Sequence, residues 1–325
     1  MTPLGTPVRV APGHVRPVPS GNGPADPTPP PGPAAGRTRT ARPAGPGLRV
    51  AGAALSILAA LLLGFVVDVG LLGQVRHARD QQVDYASLRG DLANGVASVG
   101  GSGDGAKPLV SGTPVAVLSV PGLGLREVVG EGSTSEVLAR GPGHRRDTPL
   151  PGQAGVSVIM GRQATYGGPF RHLGGLHPGE QFTVTTGQGV HRYRVVAVRS
   201  AGDPQPAPPA AGKGRLTLIT AEGTAFMPRG ILRVDADLMS AVQPGSAPAV
   251  APGALPADEA AMAVQESAWL PVVLWGQGLL LAAAGLAWAH ARWGRRHAWV
   301  VGVPVLGLLG LLVADHAALL LPNLM

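Results

Sequence analysis

Three long apolar runs and one region of short, alternating runs divide the 325-residue chain. The apolar runs extend from about Val50 to Leu72, Trp269 to His290 and Ala298 to Leu321, and Asp68 interrupts the first. Each is long enough to cross a hydrocarbon core, which needs roughly 20 helical residues. The pattern therefore predicts transmembrane helices at 50–72, 269–290 and 298–321. Between the first two, residues 113–240 change period. Pro114 to Val120 is an apolar run closed by Pro121-Gly122, and Gly155 to Met160 is a second. Phe182 and Val184 alternate with Thr183 and Thr185, Gly187-Gln188-Gly189 turns the chain, and His191, Tyr193 and Val195 resume the alternation. That is a hairpin pattern. Arg215 to Thr220 and Gly230 to Val234 supply the last strands. Short strands at this spacing predict a mainly β domain, a closed barrel or a sandwich.

The remaining stretches read as connectors. Residues 1–48 are Pro, Gly and Ala with scattered Arg and no apolar period, a composition that predicts a disordered tail. Residues 74–112 open with a polar segment, Gln74 to Leu92, with sparse apolar residues at helical spacing, and continue into five glycines between Gly95 and Gly105. This predicts a stalk and a flexible linker. The Pro/Ala-rich 241–266 reads as a second tether. Composition agrees with a membrane protein, since the mean hydropathy is +0.21.

The net charge of +7 raises the question of nucleic acid, and its distribution answers it. Six arginines against Asp26 give +5 before residue 50, and Arg292, Arg295 and Arg296 add +3, so the rest of the chain carries −1. A nucleic-acid reader carries its basic patch on the folded domain, so no nucleic-acid partner is expected. The two basic clusters instead satisfy the positive-inside rule. Both are cytoplasmic if the N-terminus is inside, residues 73–268 lie outside and the chain emerges outside again after the third span. The long basic leader and the lack of a small-residue cleavage site favour an uncleaved anchor over a signal peptide. The expectation is a multi-pass plasma-membrane protein with its β domain outside the cell.

The chain contains no cysteine, so it has no disulfide, no thiolate metal ligand and no thiol nucleophile. No two of His144, His172, His177 and His191 have the i, i+4 spacing of a helical zinc site, so neither metal nor cofactor is expected. His144 reads as a loop-positioning residue. Asp68, Asp315 and His316 are ionisable groups within or near the outer thirds of their spans. They either sit at the headgroup level or make a polar contact between helices, such as Asp68 with His316.

Three segments carry a family resemblance: PVAVLSVPGLGLREVVGEG (114–132), VLARGPGHRRDTPLPGQAG (137–155) and GRQATYGGPFRHLGGLHPGEQFTV (161–184). In order and spacing they resemble a sortase, most closely the class E and D types of high-GC Gram-positive bacteria. The resemblance covers about 120 residues. It implies an eight-stranded β-barrel outside the membrane, with a groove that accepts a sorting-signal peptide. It also implies a catalytic His, Cys and Arg. The family's histidine turn here reads Gly161-Arg162-Gln163, its cysteine strand reads Leu216-Thr217-Leu218-Ile219-Thr220-Ala221, and its arginine position is met by Arg229, with Arg233 the runner-up.

Transpeptidation of that kind needs a thiolate, a proton donor and a cation at the oxyanion. Ala221 offers no nucleophile, and Arg162 stays protonated at physiological pH and cannot exchange a proton in a turnover. Thr217, Thr220 and Thr224 are the substitute hydroxyls, without an identifiable base. Arg162, Glu222 and Arg229 form a candidate ligand groove, in which Glu222 or a peptide carboxylate would separate the two cations; the alternative is a plain Arg162–Glu222 surface ion pair. The resulting expectation is a non-catalytic sortase-like module that binds a cell-surface protein or a sorting-signal-like peptide. An enzyme with an unconventional nucleophile and a structural membrane subunit are the alternatives.

Overall fold

The computed structural model describes residues 59, 61–101, 108–245, 247–293 and 295–325. The tail at 1–48 and most of the first apolar run before residue 61 lie outside the described residues, as do the side chains of Arg292, Arg295 and Arg296.

Eight strands close into a barrel: β1 (Pro114–Val120), β2 (Leu125–Glu131), β3 (Gly143–His144), β4 (Gly155–Met160), β5 (Gln181–Thr186), β6 (Gly189–Arg199), β7 (Gly214–Thr224) and β8 (Met227–Leu238). Their order around the barrel is β1-β2-β3-β4-β7-β8-β6-β5. The β2/β3 and β4/β7 pairs are parallel and the others antiparallel. Alternation explains the inside: Phe182, Val184, Tyr193, Val195, Leu216, Leu218 and Val234 are all buried in one cluster with Leu118, Val120 and Ile159. The Phe182 and Tyr193 rings stack at 5.6 Å. The Tyr193 hydroxyl accepts from the Gly152 amide at 2.7 Å, and burial pushes its pKa up. A buried phenol thus anchors the loop before β4 while its ring fills the core.

The sequence pattern did not separate β2 from its surroundings, nor β3 and the short helix α2 (Ser135–Arg140; α1 is defined below). In β2, Arg126 and Glu127 interrupt the apolar positions. The Thr134 side chain caps α2 by accepting from Val137 N, and that helix delivers Leu138 to the barrel end.

The predicted stalk is α1 (Gly73–Asn94), preceded by a π-helical turn at Asp68–Leu72. It lies along the barrel. Gln81 accepts from Val128 N at 2.6 Å and donates to the carbonyls of Val128 and Arg140 at 3.2 and 2.9 Å. Asp84 pairs with Arg140 at 2.6 Å, and Leu88 packs on Val117 and Val128. Its apolar positions are sparse because half of this contact is made by polar side chains. The helix ends where Gly95 takes a φ of 69° and its amide returns to Asp91 and Leu92 carbonyls, the left-handed closure that glycine supplies without steric cost.

The Pro/Ala-rich connector is also fastened to the barrel. Gln153 and Gln243 form a β-bridge. Arg146 pairs with Glu259 at 3.2 Å, and Ser133 Oγ donates to the Glu259 carbonyl at 2.7 Å. After it come α3 (Trp269–Trp293) and α4 (Arg295–Ala318), which pack on each other. Three helical segments are long and apolar enough to cross a membrane: Leu61–Asn94, Glu266–Leu286 and Val300–Ala318. Large apolar side chains such as Leu270, Leu280, Leu281, Val300 and Val301 are exposed on them, as a lipid-facing surface requires.

Candidate functional site

The parallel pairing of β4 and β7 brings the two anomalous positions together. Met160 sits opposite Ile219 in the ladder, so Gly161-Arg162 leaves the end of β4 beside Thr220-Ala221 of β7. Gly161 N donates to the Ile219 carbonyl at 3.0 Å, and Thr220 Oγ1 donates to the Gly161 carbonyl at 2.8 Å. Gly161 has no room for a side chain: a Cβ there would lie 2.6 Å from the Phe170 ring.

Arg162 is fully buried. One terminal nitrogen donates to the Ser135 carbonyl at 2.8 Å and the other to Thr165 Oγ1 at 3.0 Å. The guanidinium carbon stands 5.0 Å from the centre of the Tyr166 ring, a cation–π contact strengthened by desolvation. Nε has no hydrogen-bond partner. Among the described residues no carboxylate side chain comes within ion-pair distance of it. Burial lowers its pKa to about 10, against a smaller opposing effect of Tyr166, and the same burial raises that of Tyr166. The side chain is therefore a fixed cation at neutral pH, and proton exchange is closed to it.

Ala221 is 1% exposed and packs with Leu138, Val158, Met160, Ile219 and Leu324. Glu222, beside it, accepts a hydrogen bond from Ser200 Oγ at 2.6 Å and has no ion pair with Arg162. Arg229 lies near the turn of the β7–β8 hairpin and is exposed. Arg233 is opposite Ile219 in the ladder. Thr217 is buried and donates to Asp235 at 2.7 Å, the buried Thr220 hydroxyl is spent on Gly161, and Thr224 is at the exposed hairpin tip. None of these hydroxyls contacts a histidine among the described residues.

The structure adds a component that the sequence did not suggest. Residues 322–325 lie across this end of the barrel. Gln163 N donates to the Leu324 carbonyl at 2.9 Å, and Thr165 donates to the Met325 carbonyl from its amide at 3.3 Å and from Oγ1 at 2.5 Å. Asn323 Nδ2 reaches the carbonyls of Ser133 at 3.0 Å and Ala260 at 2.8 Å, and Asn323 N donates to the Ala263 carbonyl at 2.9 Å. Leu324 is 0% exposed and shares one buried apolar cluster with Ala221, against which Ala261 and Met262 pack. One signal was present: Asn323 is the lone polar residue after a long apolar run, where burial demands partners.

Two of the three ionisable residues of the apolar runs, Asp68 and Asp315, also converge, through a residue that the sequence pattern did not single out. Arg76 contacts Asp68 at 3.4 Å and forms a short ion pair with Asp315. The Asp68 side chain is 1% exposed. His316 Nδ1 instead donates back to the Leu312 carbonyl of its own helix at 2.8 Å. His144, by contrast, ties its loop down as expected: Nδ1 is 2.9 Å from Glu131 Oε2, and Nε2 is 3.0 Å from the Pro149 carbonyl. No group of three or more potential metal ligands occurs among the described residues.

The family model described as Sortase domain matches residues 118–229. Among solved structures, a sortase E variant from Streptomyces avermitilis is 30% identical, with 41% of this chain and 91% of that one covered and a TM-score of 0.35. Sortase E1 from Streptomyces coelicolor with a tripeptide in its active site is 22% identical, covering 40% and 90%, TM-score 0.35. The Sortase D5 transpeptidase of Clostridium perfringens is 18% identical, covering 50% and 99%, TM-score 0.42. No curated protein matches the sequence.

Proposed function

This chain belongs to the sortase family, and we propose that it is a catalytically inactive member, anchored in the plasma membrane with its barrel outside the cell. In this reading Arg162 and Ala221 stand where the family's histidine and cysteine stand, Arg229 is the retained arginine, and the barrel binds or scaffolds a cell-surface peptide or protein. The observation that carries it is the sealing of position 221. Ala221 has no reactive atom and is buried in one apolar cluster with Leu324, and the neighbouring Arg162 is a buried cation rather than a proton carrier. Attack on a peptide carbonyl has neither a nucleophile nor an approach there. The three apolar helices and the two arginine clusters support the anchoring and its orientation.

The full chain, reconstituted in lipid nanodiscs and given a fluorogenic sorting-type peptide, is expected to show no turnover above protein-free nanodiscs. Turnover that disappears in Thr220→Ala would overturn the reading. A structural membrane subunit is the second reading, favoured by the Asp68–Arg76–Asp315 ties between α1 and α4. It predicts that a chain lacking residues 108–240 keeps its cellular role.

A further inference from the structure

We propose that residues 322–325 are a displaceable plug, and that the pocket over Ala221 is open to a peptide in trans only when α4 draws this segment away. The inference rests on the proposed function in one respect, that the barrel binds peptides. It deepens that reading by naming what controls access.

The geometry is that of a bound ligand. A ligand in an extended groove is recognised by backbone hydrogen bonds and by side-chain pockets. Both are present. The carbonyls of Leu324 and Met325 are met by the amides of Gln163 and Thr165, which immediately follow the Arg162 turn. The Leu324 side chain fills a pocket of Leu138, Val158, Met160, Ile219 and Ala221. Asn323 supplies a polar anchor with both of its Nδ2 contacts to main-chain carbonyls. The pocket exists because position 221 carries only a methyl group, so a branched apolar side chain can stand on it.

The plug is also mechanically connected. Residue 322 follows directly on the last turns of α4, where Leu319, Leu320 and Leu321 amides bond to His316, Ala317 and Ala318 carbonyls. Asp315, one turn earlier, is held by Arg76 of α1. A shift of α4 against α1 therefore acts on the plug within a few residues. The ligand class that competes follows from the plug itself: an extended peptide with a leucine preceded by a small amide residue, its carbonyls free to accept from Gln163 and Thr165.

The absence of cysteine makes the test direct. In the full chain in nanodiscs, Ala221→Cys introduces the sole thiol, and its reaction rate with a bulky maleimide reports cover over the pocket. With residues 322–325 intact the thiol is expected to react at least about tenfold more slowly than in the double variant Ala221→Cys, Leu324→Asp. Adding the peptide Pro-Asn-Leu-Met to the double variant is expected to restore protection. Val190→Cys in place of Ala221→Cys, on the exposed β5–β6 hairpin, controls for ordinary labelling, and the circular-dichroism spectrum of each variant reports that it is folded. If Leu324→Asp does not fold, Asn323→Ala is used instead and is expected to give intermediate exposure. Equal rates with and without the plug mutation, or no protection by millimolar peptide, would overturn the proposal. Neither outcome depends on turnover, so a failure here is distinguishable from a failure of the inactive-member reading.

Discussion

At the scale of single residues, Arg162 is the costliest choice in the barrel. A buried guanidinium with no carboxylate beside it loses its hydration and regains two hydrogen bonds and a ring face. Replacing a buried charge by an apolar side chain of similar volume is often neutral or stabilising. Arg162→Met is therefore expected to unfold within about 1 kcal/mol of wild type, or above it, whereas Arg162→Ala leaves a cavity and costs about 3 kcal/mol. Denaturant melts of the two variants in detergent separate these outcomes. His191 makes a second prediction. Burial holds its pKa below the ordinary 6.5 while Thr186 Oγ1 lies 2.8 Å from Nε2. Between that lowered value and 6.5 the unfolded chain binds a proton that the folded chain refuses. Stability therefore rises with pH in this window and is lost as pH falls below 6.5. Thermal midpoints at pH 7 and pH 5.5 are expected to differ more for wild type than for His191→Gln.

At the scale of elements, two segments that read as loose connectors prove to be fastened, and their fastenings are polar. Gln81 is the clearest case. It closes three hydrogen bonds to backbone groups of β2 and α2. Gln81→Ala leaves those groups without their partner and is expected to lower stability by about 2–3 kcal/mol, read from the shift of the unfolding midpoint. The strands with clean alternation, β5 and β6, and the apolar runs β1 and β4 were legible because period and burial coincide there. β2 and α1 were not, because their mutual contact runs through Gln81, Tyr85 and Arg126, with Leu88 on Val128 as its small apolar part, rather than through a long apolar stripe. The candidate site shows the same division. Ala221 and Arg162 could be located from the wording around them, whereas Leu324 in one cluster with Ala221 and Asn323 between Ser133 and Ala260 join parts of the sequence more than 60 residues apart. No local pattern carries such a contact. Its strength is measurable: Leu324→Ala removes a fully buried side chain at a cost of about 3 kcal/mol. If the loss is local, amide exchange at Gln163 and Thr165 accelerates by about a hundredfold.

At the scale of the whole molecule, barrel, plug and membrane helices form one mechanical chain. α1 lies on the barrel through Gln81 and meets α4 through Arg76, and the segment after α4 returns to the barrel at Gln163 and Thr165. Such a loop of contacts works only if the outer ends of α1 and α4 share one face of the membrane. The arginine clusters favour the same arrangement from independent physics, since the positive-inside rule would put the residues before the first span and those at 292–296 on the same, inner side. The two arguments agree on a sidedness that single thiols can test in a chain without cysteine. In intact cells expressing the full chain, Val190→Cys on the barrel hairpin is expected to react with a membrane-impermeant maleimide. Gly294→Cys, between α3 and α4, is expected to react only after permeabilisation. If Gly294→Cys labels in intact cells, the orientation is reversed and the barrel faces the cytoplasm. The plug would then still close the pocket, but no cell-surface partner could reach it.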